Sequence, residues 1–232
     1  MKLIIFDIDG TLLYSNRIDS KCFATTYEEF YQRPFPTLDW TYFPHVTDTT
    51  IFGTLIKDHF GREVEAAERD AFEASYVEKL QAARAKRPAD FREVPGAADM
   101  IAYLQQQADI AVAIGTGGWL RPARVKLGHI GVDHERLVVS AADGHVRRES
   151  ILEAAITKTE QQVGSIDRIV YVGDAVWDVH TTRNMNLPFI GIRRMGDAAK
   201  LLDLGAAEVL TDFSDRTLFL DALARAEPPK LV

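Results

Sequence analysis

The chain has 232 residues, 47% of them apolar, enough to bury one substantial core and a smaller module. Its net charge of -7 argues against a nucleic-acid groove as the main function, and its first apolar run is too short for a signal peptide or a membrane span. Cys22 is the single cysteine, so neither a disulfide nor a cysteine metal site can form within the chain, and a reducing cytoplasm is the expected setting.

The run Lys2-Leu3-Ile4-Ile5-Phe6 reads as a short buried strand that delivers Asp7-Ile8-Asp9-Gly10-Thr11-Leu12 at its C-terminal end. Alternation along the strand sends the side chains of Asp7 and Asp9 the same way, and Gly10 lets the backbone turn tightly with its amides open to a ligand. Two neighbouring carboxylates in a poorly solvated cleft repel each other, so a divalent cation, a shared proton or a cationic side chain is expected as compensation.

From about residue 14 to residue 88 no buried strand is evident. Three helical stripes take its place: Phe23, Tyr27 and Phe30; Ile51, Leu55 and Ile56 behind the capping candidates Thr47 and Asp48; and Phe72, Tyr76 and Leu80. This predicts an inserted all-helical module over residues 15–87, with residues 1–14 and 88–232 forming the rest. Because the insertion begins right after the Asp7–Asp9 turn, its irregular, aromatic-rich stretch from Arg33 to His45 is positioned to close over that turn.

Beyond it, apolar runs at 110–114, 137–139, 169–172 and 189–192 alternate with helical stretches, and 208–210 adds a short edge strand. This pattern predicts an α/β fold: a doubly wound, Rossmann-like parallel sheet with helices on both faces. Pro95-Gly96 opens one helix, Pro122 sits early in the next, and Gly164 stops the one that runs from about Ser150. The tail Glu227-Pro228-Pro229 is expected to fray. The run 110–114 ends at Thr116-Gly117-Gly118, where a hydroxyl and open amides suit an anion. The run 169–172 ends at Gly173-Asp174-Ala175-Val176-Trp177-Asp178, where Asp174 and Asp178 lie one helical turn apart. Arg147 and Arg148 stand between these two segments.

In this order and separation the segments resemble the motifs of the haloacid-dehalogenase-like hydrolases, and within them the phosphoglycolate-phosphatase-like branch with a helical cap. The resemblance covers nearly the whole chain. It implies that Asp7 is the nucleophile and Asp9 the acid and base, and that Thr116 and the Gly117 amide bind phosphate. It also implies that Asp7, Asp9 through its carbonyl, Asp174 and Asp178 hold Mg2+. The family usually places a Lys at the third motif; here Arg148 stands there, with Arg147 and Lys158 as alternatives.

The activity implied is magnesium-dependent hydrolysis of a small phosphorylated metabolite through an aspartyl-phosphate, with no nucleic-acid or membrane partner. The alternatives are a phosphosugar mutase on the same residues and a non-catalytic protein that binds a phosphorylated ligand. In the family, the presence of Asp9 speaks against the dehalogenases and the phosphonatases. Thr47-Asp48 is similar to a pair in caps of this branch, so His45, Thr47 and Asp48 are the expected specificity residues. The identity of the metabolite and the oligomeric state stay open at this stage.

Overall fold

In a computed structural model, residues 1–194 and 197–231 are described. The first half of the chain forms β1 (Lys2–Phe6), β2 (Leu13–Tyr14), α1 (Asn16–Tyr31), α2 (Asp48–Phe60), α3 (Ala66–Lys86), β3 (Arg92–Glu93), α4 (Ala97–Gln105) and β4 (Ile110–Gly115). The second half forms α5 (Leu120–His129), β5 (Val138–Ser140), α6 (Arg148–Val163), β6 (Arg168–Gly173), α7 (Val176–Asn184), β7 (Phe189–Ile192), α8 (Ala199–Leu202), β8 (Glu208–Leu210) and α9 (Arg216–Arg225).

Six strands make one sheet in the order β5-β4-β1-β6-β7-β8, all parallel. Leu3, Ile4, Ile5 and Phe6 are fully buried, as an apolar run covered on both faces requires. Alternation splits them: Ile4 and Phe6 join one core with Met100, Phe213 and Phe219, while Leu3 and Ile5 join another with Leu152, Ala155 and Val179. The chain builds outward from β1 through β4 to β5 and then crosses back to β6 on the other side. The strand order therefore reverses at β1, and the crevice beyond the C-terminal ends of β1, β4 and β6 is where α/β sheets of this kind bind ligands.

Helices α1, α2 and α3 form the helical cap inserted after the β1 turn. Its two connections to the sheet domain are clipped together by an antiparallel pair, Leu13 opposite Glu93 and Tyr14 opposite Arg92. The cap has an aromatic centre in which the Phe52 and Phe72 rings lie 4.5 Å apart and the Phe23 and Phe72 rings 5.2 Å apart. Trp119, from the loop after β4, is fully buried in that centre, 5.7 Å from Phe52 and 5.9 Å from Phe23, so cap and sheet domain share one apolar core.

Several expectations are corrected in detail. Phe30 is not in the buried core: 43% of its surface is exposed, because the buried seam of α1 runs through Ser20, Phe23 and Tyr27. Helix α6 begins at Arg148, ahead of Ser150, and β5 begins one residue later than expected, after a short turn at His134–Arg136. The tail is not frayed: the Phe189 amide donates to the Glu227 carbonyl, the Lys230 amide donates to the Gly205 carbonyl, and Ala226 is buried. Among the described residues, no helix is long and apolar enough to cross a membrane.

Candidate active site

The turn after β1 sets the geometry. Gly10 adopts φ +85°, and a Cβ there would stand 2.1 Å from an oxygen of Asp174, so both the backbone conformation and the close approach of that carboxylate require glycine. Asp7, at the end of β1, and Asp174 and Asp178, after β6, each place a carboxylate oxygen within 4.8 Å of one another. All three are buried.

Their surroundings differ. Asp178 is held on every side: Oδ1 accepts from Arg148 Nη2 at 2.7 Å and from the Tyr171 hydroxyl at 3.2 Å, and Oδ2 accepts the amides of Asp174 at 3.1 Å and Ala175 at 3.0 Å. Asp7 and Asp174 meet arginines less closely, with Arg148 and Arg193 respectively at 3.6 Å. Burial, then repulsion from Asp178, pushes the Asp7 carboxyl up to about 8 against the pull of Arg148. Burial and the charges of Asp178 and Asp7 likewise raise Asp174 well above the carboxylate range. A cluster this strained for charge, with only oxygen donors, fits a hard divalent cation, whose binding relieves the repulsion.

The third-motif alternatives separate in space. Arg147, just before α6, and Lys158, on it, are exposed, whereas Arg148 is buried against Asp178 and Asp7. Burial opposes the charge of Arg148, but Asp178, Tyr171 and Asp7 outweigh it and raise its pKa. Gly117 lies against this guanidinium: a Cβ there would come 2.3 Å from Arg148 Nη1 and 2.8 Å from the Val46 carbonyl oxygen. The Thr116 hydroxyl accepts the Gly118 amide at 3.2 Å, which shapes the loop after β4.

Asp9 opens on a small cavity of about 90 Å³ between cap and sheet domain, which Asp7, Trp40, Asp48, Thr116 and Arg148 also line. Ser15 stands at the N-terminus of α1, where its hydroxyl would ordinarily cap the helix; it donates to Asp9 Oδ1 instead. Asp48 does not cap α2, a role taken by Thr47, whose hydroxyl accepts the Thr50 amide at 3.2 Å and donates toward the Val146 carbonyl at 3.0 Å. The Asp48 amide donates to the Gly117 carbonyl at 2.8 Å, and its carboxylate accepts the Trp119 amide at 2.9 Å, so this residue staples the cap to the loop after β4. Burial and then the nearby charge of Asp19 push its carboxyl up to about 8. His45 stands apart from Asp7 and Asp9, on a neighbouring cavity with Trp177 and His180.

Sequence reasoning missed Lys126, Asp19 and Arg193. Lys126, on α5, has only 2% of its surface exposed, and its ammonium lies 2.6 Å from Asp9 Oδ2 and 2.7 Å from Asp19 Oδ1. Its signal was present: Trp119, Ala123, Lys126, Leu127 and Ile130 fall on one helical stripe, and a Lys in such a stripe must be paired. Arg193, after β7, donates to the Asp174 carbonyl at 2.9 Å and carries no local motif.

A family model described as haloacid dehalogenase-like hydrolase matches residues 4–192. A phosphoglycolate phosphatase of Agrobacterium fabrum is 26% identical over 216 residues, which cover 93% of this chain and 90% of that protein. Among solved structures, a hydrolase from Pseudomonas syringae superposes with a TM-score of 0.70 at 19% identity, over 95% of this chain and 98% of the other. The protein CbbY from Rhodobacter sphaeroides, solved in complex with phosphate, does so with a TM-score of 0.65 at 20% identity, over 92% of this chain and 95% of the other.

Proposed function

Since the chain belongs to the haloacid dehalogenase-like hydrolase family, we propose that its site hydrolyses a small phosphorylated metabolite through an aspartyl-phosphate on Asp7. It is a hydrolase, and the family match together with the curated phosphatase relative supports phosphoric monoesters as its substrates. The observation that carries the finer reading is the meeting of two chemistries at one crevice. Asp7 lies against Arg148 within the buried acidic cluster, while Asp9 opens on the cavity beneath the cap.

In this reading an oxygen of Asp7 attacks phosphorus, the bond from phosphorus to the leaving oxygen breaks, and Asp9 gives that oxygen a proton. Asp9 then takes a proton from water as the water's oxygen attacks the phosphoryl group, which frees phosphate and restores Asp7. The Thr116 hydroxyl, the Gly117 amide and the Arg148 guanidinium hold the phosphoryl oxygens, Arg148 mainly through Nη1 because its Nη2 is bonded to Asp178 and Tyr171. Mg2+ is the proposed cofactor. Asp7, Asp174 and the Asp9 carbonyl would hold it, with Asp178 acting behind them because its oxygens already accept four donors. Bound there, it would neutralise charge on the phosphoryl group.

The cap supplies selectivity in this proposal. The core motifs see only the phosphate common to all candidates, so discrimination falls to cap residues that reach the cavity, Trp40 and Asp48 first. Thr47, occupied as the helix cap, and His45, on the adjoining cavity, would act less directly. Buried, unpaired Cys22 is in keeping with a cytoplasmic protein.

Turnover of a panel of phosphate esters, with and without a chelator, tests the reading. Magnesium should restore activity lost to chelation, and Asp7→Asn should lower turnover by about 10³-fold or more without unfolding the chain. Full turnover in excess chelator, or an Asp7→Asn loss within about tenfold, would count against it. Release of inorganic phosphate, as opposed to an isomeric phosphate ester, separates the phosphatase from the mutase.

A further inference from the structure

A buried lysine on an apolar stripe is costly unless its partners repay the loss of water. Lys126 stands in such a stripe on α5 and reaches two carboxylates from different parts of the molecule. Asp9 belongs to the turn after β1, whereas Asp19 lies on α1 of the cap and also accepts the Tyr76 hydroxyl from α3 at 2.5 Å. The ammonium therefore bridges sheet domain and cap. The Asp9 carboxylate is pinned at both oxygens, Oδ1 by the Ser15 hydroxyl and Oδ2 by Lys126.

Docking of the cap does not need this bridge. The Asp48–Trp119 and Thr49–Trp119 bonds, the Thr47 and Thr50 hydroxyls on the Val146 carbonyl, and Trp119 itself already join the two parts. An apolar side chain at 126, with an uncharged one at 19, would continue the stripe and pack against the cap without the cost of burying an ion pair. What the lysine adds is a fixed orientation for one carboxyl at the mouth of the cavity.

We propose that Lys126 is a positioning residue for Asp9, and that its second bond, to Asp19, makes the positioning complete only while the cap is seated. This rests on the reading of Asp9 as proton donor to the leaving oxygen. When the cap lifts, α1 and α3 withdraw Asp19 and Tyr76 together, and Lys126 keeps Asp9 alone in a site open to water. Closure then does two things at once, excluding water and completing the hold on the acid.

The test is a comparison of kcat on two esters. Nitrophenyl phosphate releases a stable anion that needs little protonation, whereas a simple alkyl phosphate releases an alkoxide that cannot leave without a proton. Lys126→Met should lower kcat for the alkyl ester by at least about tenfold more than for the aryl ester, and Asp19→Asn should show the same bias more weakly. Asp9→Asn, run in parallel, should show the largest bias of all. The double variant Lys126→Met/Asp19→Asn removes both charges and keeps an acceptor for Tyr76, so it guards against a single variant that fails to fold. It should fold and keep the bias.

Equal losses on both esters in Lys126→Met and in the double variant, with the bias intact in Asp9→Asn, would show a structural ion pair only and overturn the proposal. No bias in Asp9→Asn would overturn the reading of Asp9 and the proposal with it.

Discussion

Arg148→Met removes a buried charge but keeps most of the side chain's length, so the consequence is mainly electrostatic. Three buried carboxylates, Asp7, Asp174 and Asp178, face two cations, Arg148 and Arg193, at this cluster. Breaking a buried ion pair from one side costs about 3–5 kcal/mol. Asp178 would keep the Tyr171 hydroxyl and two backbone amides, which puts the expected loss near the lower end, about 3 kcal/mol. Against a total stability of roughly 5–15 kcal/mol the variant stays folded. Removing a cation beside the carboxylates also strengthens their hold on a divalent ion, and each tenfold gain in affinity returns about 1.4 kcal/mol at saturating metal. Urea unfolding followed by circular dichroism, in chelator and then in excess magnesium, should show a gap of about 3 kcal/mol that narrows by at least about 1 kcal/mol. Turnover should fall by about 10²–10³, the usual cost of losing a donor to a charged transition state. A gap in chelator under about 1 kcal/mol, typical of an exposed pair, would refute the reasoning, as would a gap that widens on adding magnesium.

Two further outcomes are expected. The Asp48 carboxyl is raised by burial to about 8 from about 3.9 in an unfolded chain, so between these values the folded protein binds more protons and its stability falls as pH rises. Asp48→Asn, whose amide oxygen can still accept the Trp119 amide, should therefore gain stability over the parent from about pH 4 up to about pH 8, with a constant difference above; parallel urea-midpoint curves across that range would contradict this. Gly117→Ala should raise KM for every phosphate ester by a similar factor, because its methyl must displace the Arg148 guanidinium or the Val46 carbonyl, and an unchanged KM across the panel would show that the loop does not meet phosphate.

What sequence could reveal depended on the range of the forces involved. β1, β4, β6 and β7 announced themselves because a strand covered on both faces must be apolar throughout, and Asp7, Thr116 and Asp174 were found because each sits just past such a strand. Which arginine enters the cluster could not be read locally. Arg147 and Arg148 are neighbours, and only the start of α6 at Arg148 turns one inward and leaves the other in solvent. The β2–β3 clip is two residues long on each side, below what any periodicity can register. Lys126 was overlooked for a different reason: its partners Asp9 and Asp19 are far away in sequence, so nothing near it shows what pairs with it. The tail failed as an expectation because its anchors are backbone amides and carbonyls, which every residue but proline carries, so composition gives no sign of them.

The central position of β1 has a consequence for how the molecule is made. The chain's first strand is also its most deeply paired: Ile4 lies opposite Val112 on one side and Val170 on the other. During synthesis from the N-terminus, β1 emerges as four consecutive apolar residues with both edges open, and neither partner exists until much later. The cap helices, whose contacts are local, can assemble in the interval, but they do not cover those edges. A nascent or truncated chain that stops short of β6 thus leaves at least one edge of this apolar strand open, a template for pairing with another copy. The strand that leads into Asp7, the proposed nucleophile, is the one most in need of protection before folding ends, and no fragment lacking β6 can hold Asp7 beside Asp174.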